Sequence, residues 1–494
     1  MNMQQRVEEP AYAIGDLVID GHWCPGASGK ARTVSSPWTG KPIATLIDAT
    51  TGDIDQAYEG AARTQPAWAA TLPGERAEVF RRAGRIMEER QAEIVDWLVR
   101  ETGSTIAKAG IEWWAVHNSV LEAATLPSRV EGRIIFGDYA DKENRIYRRP
   151  VGVVGVISPW NWPMHLSMRS IAPALALGNA VVVKPASDTP ITGGLLIARI
   201  FEEAGLPPGV LSVVAGEAGQ IGDYFTGHAI PRVLSFTGST DVGRRVGKIA
   251  VTSPMIKKAM LELGGNGPLV ITEDVDLDTA VHTAIVGKLF HQGQMCIAVN
   301  RIIVAEAIHD AFVDRFVERA AQLRYDNPSD PETAYGPIIN QKQFTRLVGM
   351  IETAKQEGAR LRLGGEARGL LLPVHVFDQV EPGMEIARKE IFGPLAPILR
   401  ARDDDDAIRL ANDTEYGLTS GVLCRDEGRA LRIASRIEAG MTHINDIPAV
   451  DMPQLPFGGE KNSGLGRFGS KGMIEEFTTE HWISVQHSPA RYPF

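Results

Sequence analysis

The sequence predicts an α/β protein with two domains, each built on a mostly parallel sheet, and a small β element formed by distant segments. Three observations lead to this fold class. Short β-branched runs alternate with helical stretches over residues 153–263, the alternation resumes after residue 265, and strand-like segments lie outside both regions, before residue 150 and after residue 479. Strands that alternate with helices form βαβ units, because parallel neighbours need a crossover between them.

The composition excludes several classes of protein. The chain has 494 residues and a formal net charge of −10, with 51 Lys and Arg against 61 Asp and Glu. This length accommodates two to four domains, and the acidic balance argues against a nucleic-acid-binding protein, which normally carries a basic face. No apolar run is long enough to span a bilayer, and the polar stretch 1–10 has no signal-peptide core. We therefore expect a cytoplasmic protein that binds neither nucleic acid nor membrane.

Residues 54–128 have the spacing of helices. Within 75–100, apolar residues recur every three or four positions, which predicts an amphipathic helix that ends at Thr102-Gly103. Residues 132–136 and 145–149 resemble the two strands of a hairpin joined across 137–144, with a surface loop as the alternative.

The first alternating region contains five predicted strands, at 153–157, 180–183, 211–214, 233–236 and 259–263. Asp188-Thr189-Pro190 is typical of a helix start, since a capping oxygen is followed by proline in the first turn. A parallel sheet of this kind binds its ligands at the carboxyl ends of its strands.

The second alternating region has predicted strands at 268–271, 300–304 and 396–400, and predicted helices at 278–290, 308–323 and 341–357. The stretch 480–486 resembles one more strand, far in sequence from its own sheet. We expect the acidic run Asp403–Asp406 to cap the following helix rather than to bind a metal, since no partner cluster of carboxylates is evident.

One of the three cysteines has the surroundings of a reactive thiol. The chain has three cysteines, which are Cys24, Cys296 and Cys424. They are too few and too far apart for a disulfide framework or a zinc cluster, so no metal site is expected. A lone cysteine is more often buried and inert than reactive. Cys296, however, follows a Gly-Gln turn and has apolar neighbours, which suggests a loop that reaches a pocket.

Two further polar residues are placed for acyl chemistry. Glu262 ends a predicted strand and precedes two glycines, so it is either a general base near the mouth of the sheet or a salt-bridged edge residue. A thiol nucleophile with a carboxylate base suits acyl transfer to water. Asn161 follows the first strand, where its amide could donate to a developing oxyanion or form an Asx-type turn between prolines.

The strand ends also suggest a nucleotide site. Lys184 ends the second strand, where it would meet ribose hydroxyls or phosphate, or else solvent. Residues 236–243 run from strand through a tight turn into a helix, whose first amides could hold a pyrophosphate. The glycines Gly238 and Gly243 stand five apart, however, so the common dinucleotide pattern is absent, and no P-loop occurs.

Seven segments, in this order and spacing, resemble the aldehyde dehydrogenase superfamily from about residue 20 to the end of the chain. They are Pro159-Trp160-Asn161-Trp162-Pro163, Lys184-Pro185-Ala186, Phe236-Thr237-Gly238-Ser239, Glu262-Leu263-Gly264-Gly265-Asn266, Gly293-Gln294-Met295-Cys296, Glu390-Ile391-Phe392-Gly393-Pro394, and Pro456-Phe457-Gly458-Gly459 with Ser463-Gly464-Leu465-Gly466-Arg467.

The resemblance implies a mechanism and a cofactor. Cys296 attacks the aldehyde carbon, Asn161 and the Cys296 backbone N–H stabilise the oxyanion, and Glu262 activates the water that releases the acid. A Rossmann-type domain binds NAD. The implied cofactor-binding residues are Trp160, Lys184, Ser187, Gly238, Ser239, Gly243, Glu390 and Phe392.

Two departures from the family pattern bear on function. Ser187 stands where many NAD-preferring members carry a glutamate for the ribose diol, so NADP stays open as an alternative. Phe468 stands where some members have a second glutamate implicated in proton relay, so Glu262 acts without it or with another partner.

For the substrate, residues 166–194 and the His291-Gln-Gly-Gln run look most like bacterial benzaldehyde dehydrogenases, which implies an aromatic aldehyde. Trp162 and Phe457 would wall the substrate pocket. The pair Trp113-Trp114 either joins them or packs within its helix, and His165 is interpreted as structural. Three alternatives are an aliphatic or semialdehyde dehydrogenase, a CoA-acylating enzyme, and a non-catalytic structural or binding protein with this fold.

The resemblance also implies a division of the chain. Residues 10–131 and 151–263 form the NAD(P)-binding domain, and 264–470 form the catalytic domain. Residues 132–150 and 471–494 form a bridging element that builds a homodimer or homotetramer.

Overall fold

The structure, a computed structural model, describes residue 12, residues 14–490 and residue 492. The polar stretch 1–10 and the outermost residues of the proposed domains therefore lie outside the described residues. The first part of the chain comprises β1 (Leu17–Ile19), β2 (His22–Cys24), β3 (Ala31–Ser35), β4 (Pro42–Ile47), α1 (Thr51–Ala70), α2 (Pro73–Glu89), α3 (Gln91–Thr102), α4 (Ile106–Ala123), β5 (Arg133–Phe136) and β6 (Lys142–Pro150).

The helical segment 75–100 is divided in two, contrary to the single helix that its periodicity predicts. Arg90 leaves the helical conformation between α2 and α3, with φ −101° and ψ 17°. Its guanidinium lies 3.9 Å from the ring centre of Tyr12 and pairs with Glu93. The break therefore coincides with tertiary contacts rather than with a local helix breaker. The predicted end is confirmed, because Gly103 adopts the left-handed conformation after α3.

The first alternating region forms a parallel sheet as predicted, with every strand within one residue of its expected bounds. The elements are β7 (Val153–Ile157), α5 (Pro163–Ala176), β8 (Ala180–Lys184), α6 (Leu196–Glu203), β9 (Leu211–Val213), α7 (Ala218–Gly227), β10 (Val233–Thr237), α8 (Thr240–Thr252) and β11 (Lys258–Glu262). The strand order is β2-β1-β9-β8-β7-β10-β11-β21, where β21 (Gly464–Leu465) comes from the C-terminal region. The order reverses between β7 and β10, which is where such sheets bind ligands.

The helix start predicted at Asp188-Thr189-Pro190 is displaced and capped differently. A π-helical turn, Ile191–Leu195, precedes α6, and neither Asp188 nor Thr189 caps it. The Glu101 carboxylate instead accepts hydrogen bonds from the N–H groups of Ile191 (2.9 Å) and Thr192 (2.8 Å). A carboxylate from α3 thus satisfies the backbone donors that a local side chain was expected to take.

The second region comprises β12 (Gly267–Ile271), α9 (Leu277–Leu289), β13 (Val299–Ala305), α10 (His309–Ala321), α11 (Gln341–Gln356), β14 (Arg360–Leu363), β15 (His375–Asp378), α12 (Glu385–Arg388), β16 (Leu395–Ala401), α13 (Asp404–Asn412), β17 (Tyr416–Gly417), β18 (Thr419–Leu423), α14 (Glu427–Ala434), β19 (Met441–Ile444), β20 (Glu460–Lys461) and β21 (Gly464–Leu465). Its sheet has the order β14-β15-β16-β13-β12-β18-β19. The three predicted strands and three predicted helices are confirmed, and Asp403 caps α13 as expected.

The chain ends with α15 (Ser470–Phe477) and β22 (Thr478–Gln486). β22 pairs antiparallel with β6 over its whole length, and β5 lies on the other side of β6, which confirms the hairpin and the C-terminal strand. β6 begins at Lys142 rather than at residue 145, because it pairs with all of β22. Among the described residues, no helix combines the length and apolarity needed to cross a membrane.

The proposed division into domains stays a prediction, although two sheets and a small third one follow it closely. One short strand crosses the proposed boundary. β21, from the segment assigned to the catalytic domain, pairs with β11 at Leu261–Leu465 and so extends the first sheet.

Candidate active site

The loop after β7 lies at the point where the strand order of the first sheet reverses, and it carries Asn161. This side chain is buried, and its amide nitrogen donates a hydrogen bond to the backbone oxygen of Gln294 (2.9 Å). Gln294 precedes Cys296 by two residues. The loop that carries Asn161 and the segment that carries Cys296 are therefore in direct contact.

Cys296 lies in a turn between α9 and β13 and is partly exposed. Three successive residues before it, His291, Gln292 and Gly293, have left-handed φ values of 51°, 59° and 72°. Such values are unfavourable for residues other than glycine, so surrounding contacts must hold the turn. The Gln292 side chain donates to the Pro337 oxygen (2.8 Å), and a Cβ at Gly293 would overlap the Gly393 oxygen.

Glu262 is the last residue of β11, as expected, and it lies beside the cysteine turn. The following glycines allow this approach, because a Cβ at Gly265 would overlap the carbonyl oxygen of Cys296. The backbone carbonyl oxygen of Glu262 accepts a hydrogen bond from the N–H of Gly238 (3.0 Å), which connects the end of β11 to the loop after β10. The structure thus brings together the three residues to which the sequence analysis assigns catalytic roles.

Burial controls the protonation of this centre. Glu262 is 1% exposed, and within the described residues its Oε1 has no hydrogen-bond partner. Burial raises the pKa of Glu262 to about 8, and the Arg169 guanidinium acts in the opposite direction. Burial, and next the charge of Glu262, raise the pKa of the Cys296 thiol well above its usual range. The resting cysteine is therefore a thiol beside a carboxyl group that titrates near neutral pH.

Arg169, on α5, is a site residue that sequence reasoning missed. Its guanidinium lies 4.8 Å from the ring centre of Phe457 and 4.1 Å from that of Phe468. Nη2 donates to the hydroxyl of Thr237 (3.3 Å), the residue that pairs with Glu262 across β10 and β11. Phe468, which stands where some family members have a second glutamate, thus packs on the buried guanidinium of Arg169 beside Glu262.

His165 and Asp451 extend this arrangement. His165 Nε2 is 2.8 Å from Asp451 Oδ2, and Arg169 Nη1 is 3.6 Å from the same oxygen. Burial would raise the pKa of Asp451, but the hydrogen bond from His165 and the charge of Arg169 hold it below its usual range. Asp451 is therefore ionised at neutral pH. The sequence analysis interpreted His165 as structural, and no local signal indicated its partner.

A fully buried ion pair on α4 supports the Asn161 loop. Lys108 pairs with Glu112 and donates to the Asn161 backbone oxygen (2.9 Å). Its ammonium also lies 4.5 Å from the ring centre of Trp162. Glu112 accepts the N–H groups of Met164 (3.0 Å) and His165 (3.2 Å) at the start of α5. This pair was not identified from the sequence.

Lys184 and Ser187 occupy the end of β8 and the loop after it. Lys184 is buried, and burial lowers its pKa to about 8, with a further contribution from Arg32. Ser187 donates to the Gly216 oxygen (3.1 Å) and lines a surface cavity of about 540 Å³. Lys30, Arg32, Asp48 and Glu217 line the same cavity. The cavity lies at the carboxyl end of the sheet, where the sequence placed the nucleotide.

Gly238, Ser239 and Gly243 form the entry to α8. Ser239 is exposed at the N-cap, and among the described residues its side chain makes no capping bond. A Cβ at Gly243 would overlap Leu263, so this glycine lets α8 pack closely on the end of β11. The first amides of α8 are thus presented at the carboxyl edge of the sheet, where an anion binds favourably.

Glu390 and Phe392 approach the same edge from the second region. Glu390 accepts a hydrogen bond from Gly265 N (2.9 Å), and burial raises its pKa to about 7. Phe392, with φ 52°, packs edge-to-face on Trp160 with 5.3 Å between ring centres. The residues expected to bind a dinucleotide therefore line one continuous edge and fit such a group.

Trp162 and Phe457, the predicted substrate-pocket residues, lie next to His165 and Arg169. Trp162 is partly exposed and faces His165, with 6.2 Å between ring centres. Phe457 is buried against Arg169. Trp113 donates to the Met87 oxygen (3.0 Å) and Trp114 is exposed, which agrees with the helix-packing alternative for this pair.

Comparison with known proteins decides the family. The model of the aldehyde dehydrogenase family matches residues 23–483. The chain belongs to the aldehyde dehydrogenase family. This confirms the resemblance that its motifs carry, as well as the α/β fold class.

Several known proteins match the sequence of this aldehyde dehydrogenase over nearly its full length. It is 50% identical over 471 residues to a vanillin dehydrogenase of Corynebacterium glutamicum, across 95% of this chain and 97% of that protein. It is 40% identical to a benzaldehyde dehydrogenase (NAD⁺) of Pseudomonas putida across 100% of both. A crystal structure of an NAD-dependent benzaldehyde dehydrogenase from Corynebacterium glutamicum superposes with a TM-score of 0.90, at 46% identity over 99% of each chain.

Proposed function

We propose that this enzyme oxidises an aromatic aldehyde to the carboxylic acid with NAD. The observation that carries the proposal is the buried Glu262 carboxyl beside Cys296, at the ligand-binding edge of a parallel sheet. The names of the similar vanillin and benzaldehyde dehydrogenases support the aromatic substrate.

In the first half of the reaction, the Cys296 thiol gives its proton to solvent, and its sulfur bonds to the aldehyde carbon. The aldehyde oxygen becomes an oxyanion that accepts hydrogen bonds from the Asn161 amide and the Cys296 N–H. One such donor is worth about 3 kcal/mol of barrier. Loss of a hydride from the same carbon leaves a thioester on Cys296.

In the second half, Glu262 in its ionised form takes a proton from water, whose oxygen attacks the thioester carbon. The C–S bond breaks and the acid leaves. The proton held by Glu262 passes to the Cys296 sulfur, which restores the thiol and the ionised carboxylate. A CoA-acylating enzyme would not need this base. The buried, unpartnered Oε1 among the described residues therefore favours hydrolysis over thiolysis.

The nucleotide edge would hold the cofactor, which when bound supplies the acceptor for the hydride. Lys184 and Glu390 would bind the ribose hydroxyls, and the amides after Gly238 with the Ser239 hydroxyl would bind the pyrophosphate. Phe392 and Trp160 contact each other and would therefore line the same part of the site, and Gly243 keeps α8 close to the sheet.

The surroundings of Ser187 favour NAD over NADP. Arg32 makes a two-point ion pair with Asp48 (2.7 and 2.8 Å), and Lys30 pairs with Glu217 (3.3 Å). Both cations of the cavity are thus already neutralised by carboxylates, which repel a 2′-phosphate. A preference for NADP would contradict this assignment.

We further propose a homodimer or homotetramer in the cytoplasm. The sheet β22-β6-β5 exposes large apolar side chains, including Phe136 (95% exposed) and Trp482 (63% exposed), as interaction surfaces do. The cytoplasmic location is supported by the need of Cys296 for a reducing compartment, and all three cysteines are free.

The test is a steady-state screen of aromatic, aliphatic and semialdehyde substrates with NAD and NADP in parallel, without CoA. We expect reduced nicotinamide and free acid in equal amounts, with the highest kcat/KM for aromatic aldehydes and NAD. A higher kcat/KM for aliphatic aldehydes would overturn the substrate class. No turnover with any aldehyde would indicate a non-catalytic protein.

A further inference from the structure

His165, Arg169 and Asp451, here called the polar cluster, surround a small cavity next to the catalytic centre. The cavity has a volume of about 30 Å³, and Ser119 and Phe468 also line it. This volume exceeds that of a single water site, so it can hold a small polar substituent. Charged groups are rare in such buried positions unless something pairs with them.

The polar cluster lies between the two residues expected to wall the substrate pocket. His165 faces the ring of Trp162, and Arg169 lies over the ring of Phe457. Arg169 also reaches Thr237, the strand neighbour of Glu262. The polar cluster therefore contacts both residues that are expected to wall the substrate pocket, and it also contacts the strand next to Glu262.

The polar cluster retains unused hydrogen-bonding capacity. Within the described part of the chain, Arg169 Nε and Nη1 and His165 Nδ1 have no hydrogen-bond partner, although the residues are only 6% and 7% exposed. Nη1 is 3.6 Å from Asp451 Oδ2, which is an ion-pair contact longer than a hydrogen bond. A buried donor without a partner is unfavourable, so these groups are expected to meet a polar ligand.

We propose that the polar cluster is a subsite for a ring hydroxyl, so that the enzyme prefers phenolic over unsubstituted or alkylated benzaldehydes. A phenol hydroxyl both donates and accepts a hydrogen bond. Asp451 supplies an ionised acceptor, and Arg169 and His165 supply donors. Charge-assisted hydrogen bonds of this kind discriminate strongly against a substrate that lacks the hydroxyl, because the buried groups are then left unpaired. This inference rests on the proposed oxidation of aromatic aldehydes.

The experiment compares hydroxyl with methyl, which has similar size. The kcat/KM values of 3- and 4-hydroxybenzaldehyde are each divided by the value for the corresponding methylbenzaldehyde, in the wild-type enzyme and in two variants. His165→Phe keeps an aromatic ring but removes the donor, and Asp451→Asn keeps the shape but removes the charge. The ratio is compared between enzyme forms, because the fraction of folded protein cancels within each ratio and the intrinsic reactivity of the two aldehydes cancels between enzyme forms.

Arg169 is left unchanged because its charge also acts on Glu262. A matched control is His309→Phe, which alters another buried histidine that faces an aspartate, Asp378, at 3.6 Å in the second region. We expect the hydroxyl-to-methyl ratio to fall at least fivefold at one ring position in both variants and to stay unchanged in the control.

A smaller fall at both ring positions, or an equal fall in the control, would overturn the subsite. In that case the cavity holds water, and its polar groups serve only the fold. This outcome differs from failure of the proposed function, in which neither the hydroxyl nor the methyl aldehydes would be oxidised by the wild-type enzyme.

Discussion

At the scale of single residues, the centre depends on ionisable groups held away from water. Burial raises the pKa values of Glu262 and Glu390 to about 8 and about 7, and it lowers that of Lys184 to about 8. The catalytic base and the two groups expected to bind ribose therefore change charge within the physiological pH range. Groups with this property occur mainly at functional sites.

Replacing the nucleophile tests its assignment directly. In Cys296→Ala, turnover with benzaldehyde should fall to the detection limit, because no thioester can form. Binding of NAD, measured by calorimetry, should persist, because the nucleotide edge is intact. Cys24→Ala is the matched control, since Cys24 is also partly exposed but lies in β2. Turnover by Cys296→Ala above a tenth of the wild-type rate would refute the role.

Removal of the base should separate the two halves of the reaction. In Glu262→Gln, we expect one rapid burst of reduced cofactor per site, followed by turnover reduced about 10²-fold or more. Stopped-flow absorbance measures both phases. A variant without a burst would show that Glu262 is already required before the thioester forms, as the base that takes the thiol proton.

The pH dependence follows from the raised pKa of Glu262. A general base must be ionised, and Glu262 is protonated below its pKa of about 8. The rate of acid release should therefore rise about tenfold per pH unit up to about pH 8 and then level off. Single-turnover hydrolysis of the thioester from pH 6 to 10 measures this, and the Gln variant should lack the rise. A profile flat from pH 6 upward would contradict the assignment.

At the scale of elements, helix α4 contacts and supports the loop that carries Asn161. The buried pair of Lys108 and Glu112 contacts the Asn161 carbonyl, the Trp162 ring and the first N–H groups of α5. Losing one partner of a buried pair leaves an uncompensated charge. The pair therefore couples the stability of α4 to the position of the Asn161 amide.

Lys108→Met should lower the free energy of unfolding by about 3–5 kcal/mol. The control is Lys355→Met, which removes an exposed pair with Glu352 on α11 and should cost less than about 1 kcal/mol. Urea denaturation of both variants supplies the comparison. Equal losses would mean that the buried pair contributes no more than a surface pair.

The sequence predicted elements well where local pattern determines them. The strands from β7 to β11 are short, largely apolar runs, and each was located within one residue. The division at Arg90 was missed because it coincides with stacking on Tyr12, not with a glycine or proline. β15 and β19 were missed because each is only four residues long and contains a histidine, His375 at the start of β15 and His443 within β19.

The site residues also differ in whether a local sequence pattern marks them. Cys296, Glu262 and Asn161 lie at strand ends or in glycine-containing turns, which mark them in the sequence. The polar cluster has no such mark, since His165 and Asp451 are 286 residues apart and meet only in the folded chain. Its pairing depends on tertiary contacts that periodicity and motifs do not encode.

At the scale of the whole molecule, the sheet β22-β6-β5 is the surface proposed to bind another copy of the chain. Phe136→Asp should lower the molar mass measured by light scattering, because a charge in a buried apolar contact is costly. Leu431→Asp, which changes an exposed leucine on α14, should leave the mass unchanged. A Phe136→Asp protein of wild-type mass would exclude this sheet as the interface.

The pairing of β22 with β6 also sets the order in which the chain can be assembled during synthesis. Arg148 and Thr478, which bond across these strands, are 330 residues apart. At cellular rates of about 5–20 residues per second, a ribosome needs tens of seconds to make the intervening chain. Throughout that time β6 presents an unpaired edge, which is a template for wrong partners. The nascent chain therefore carries an uncovered strand edge until residues 478–486 have been synthesised.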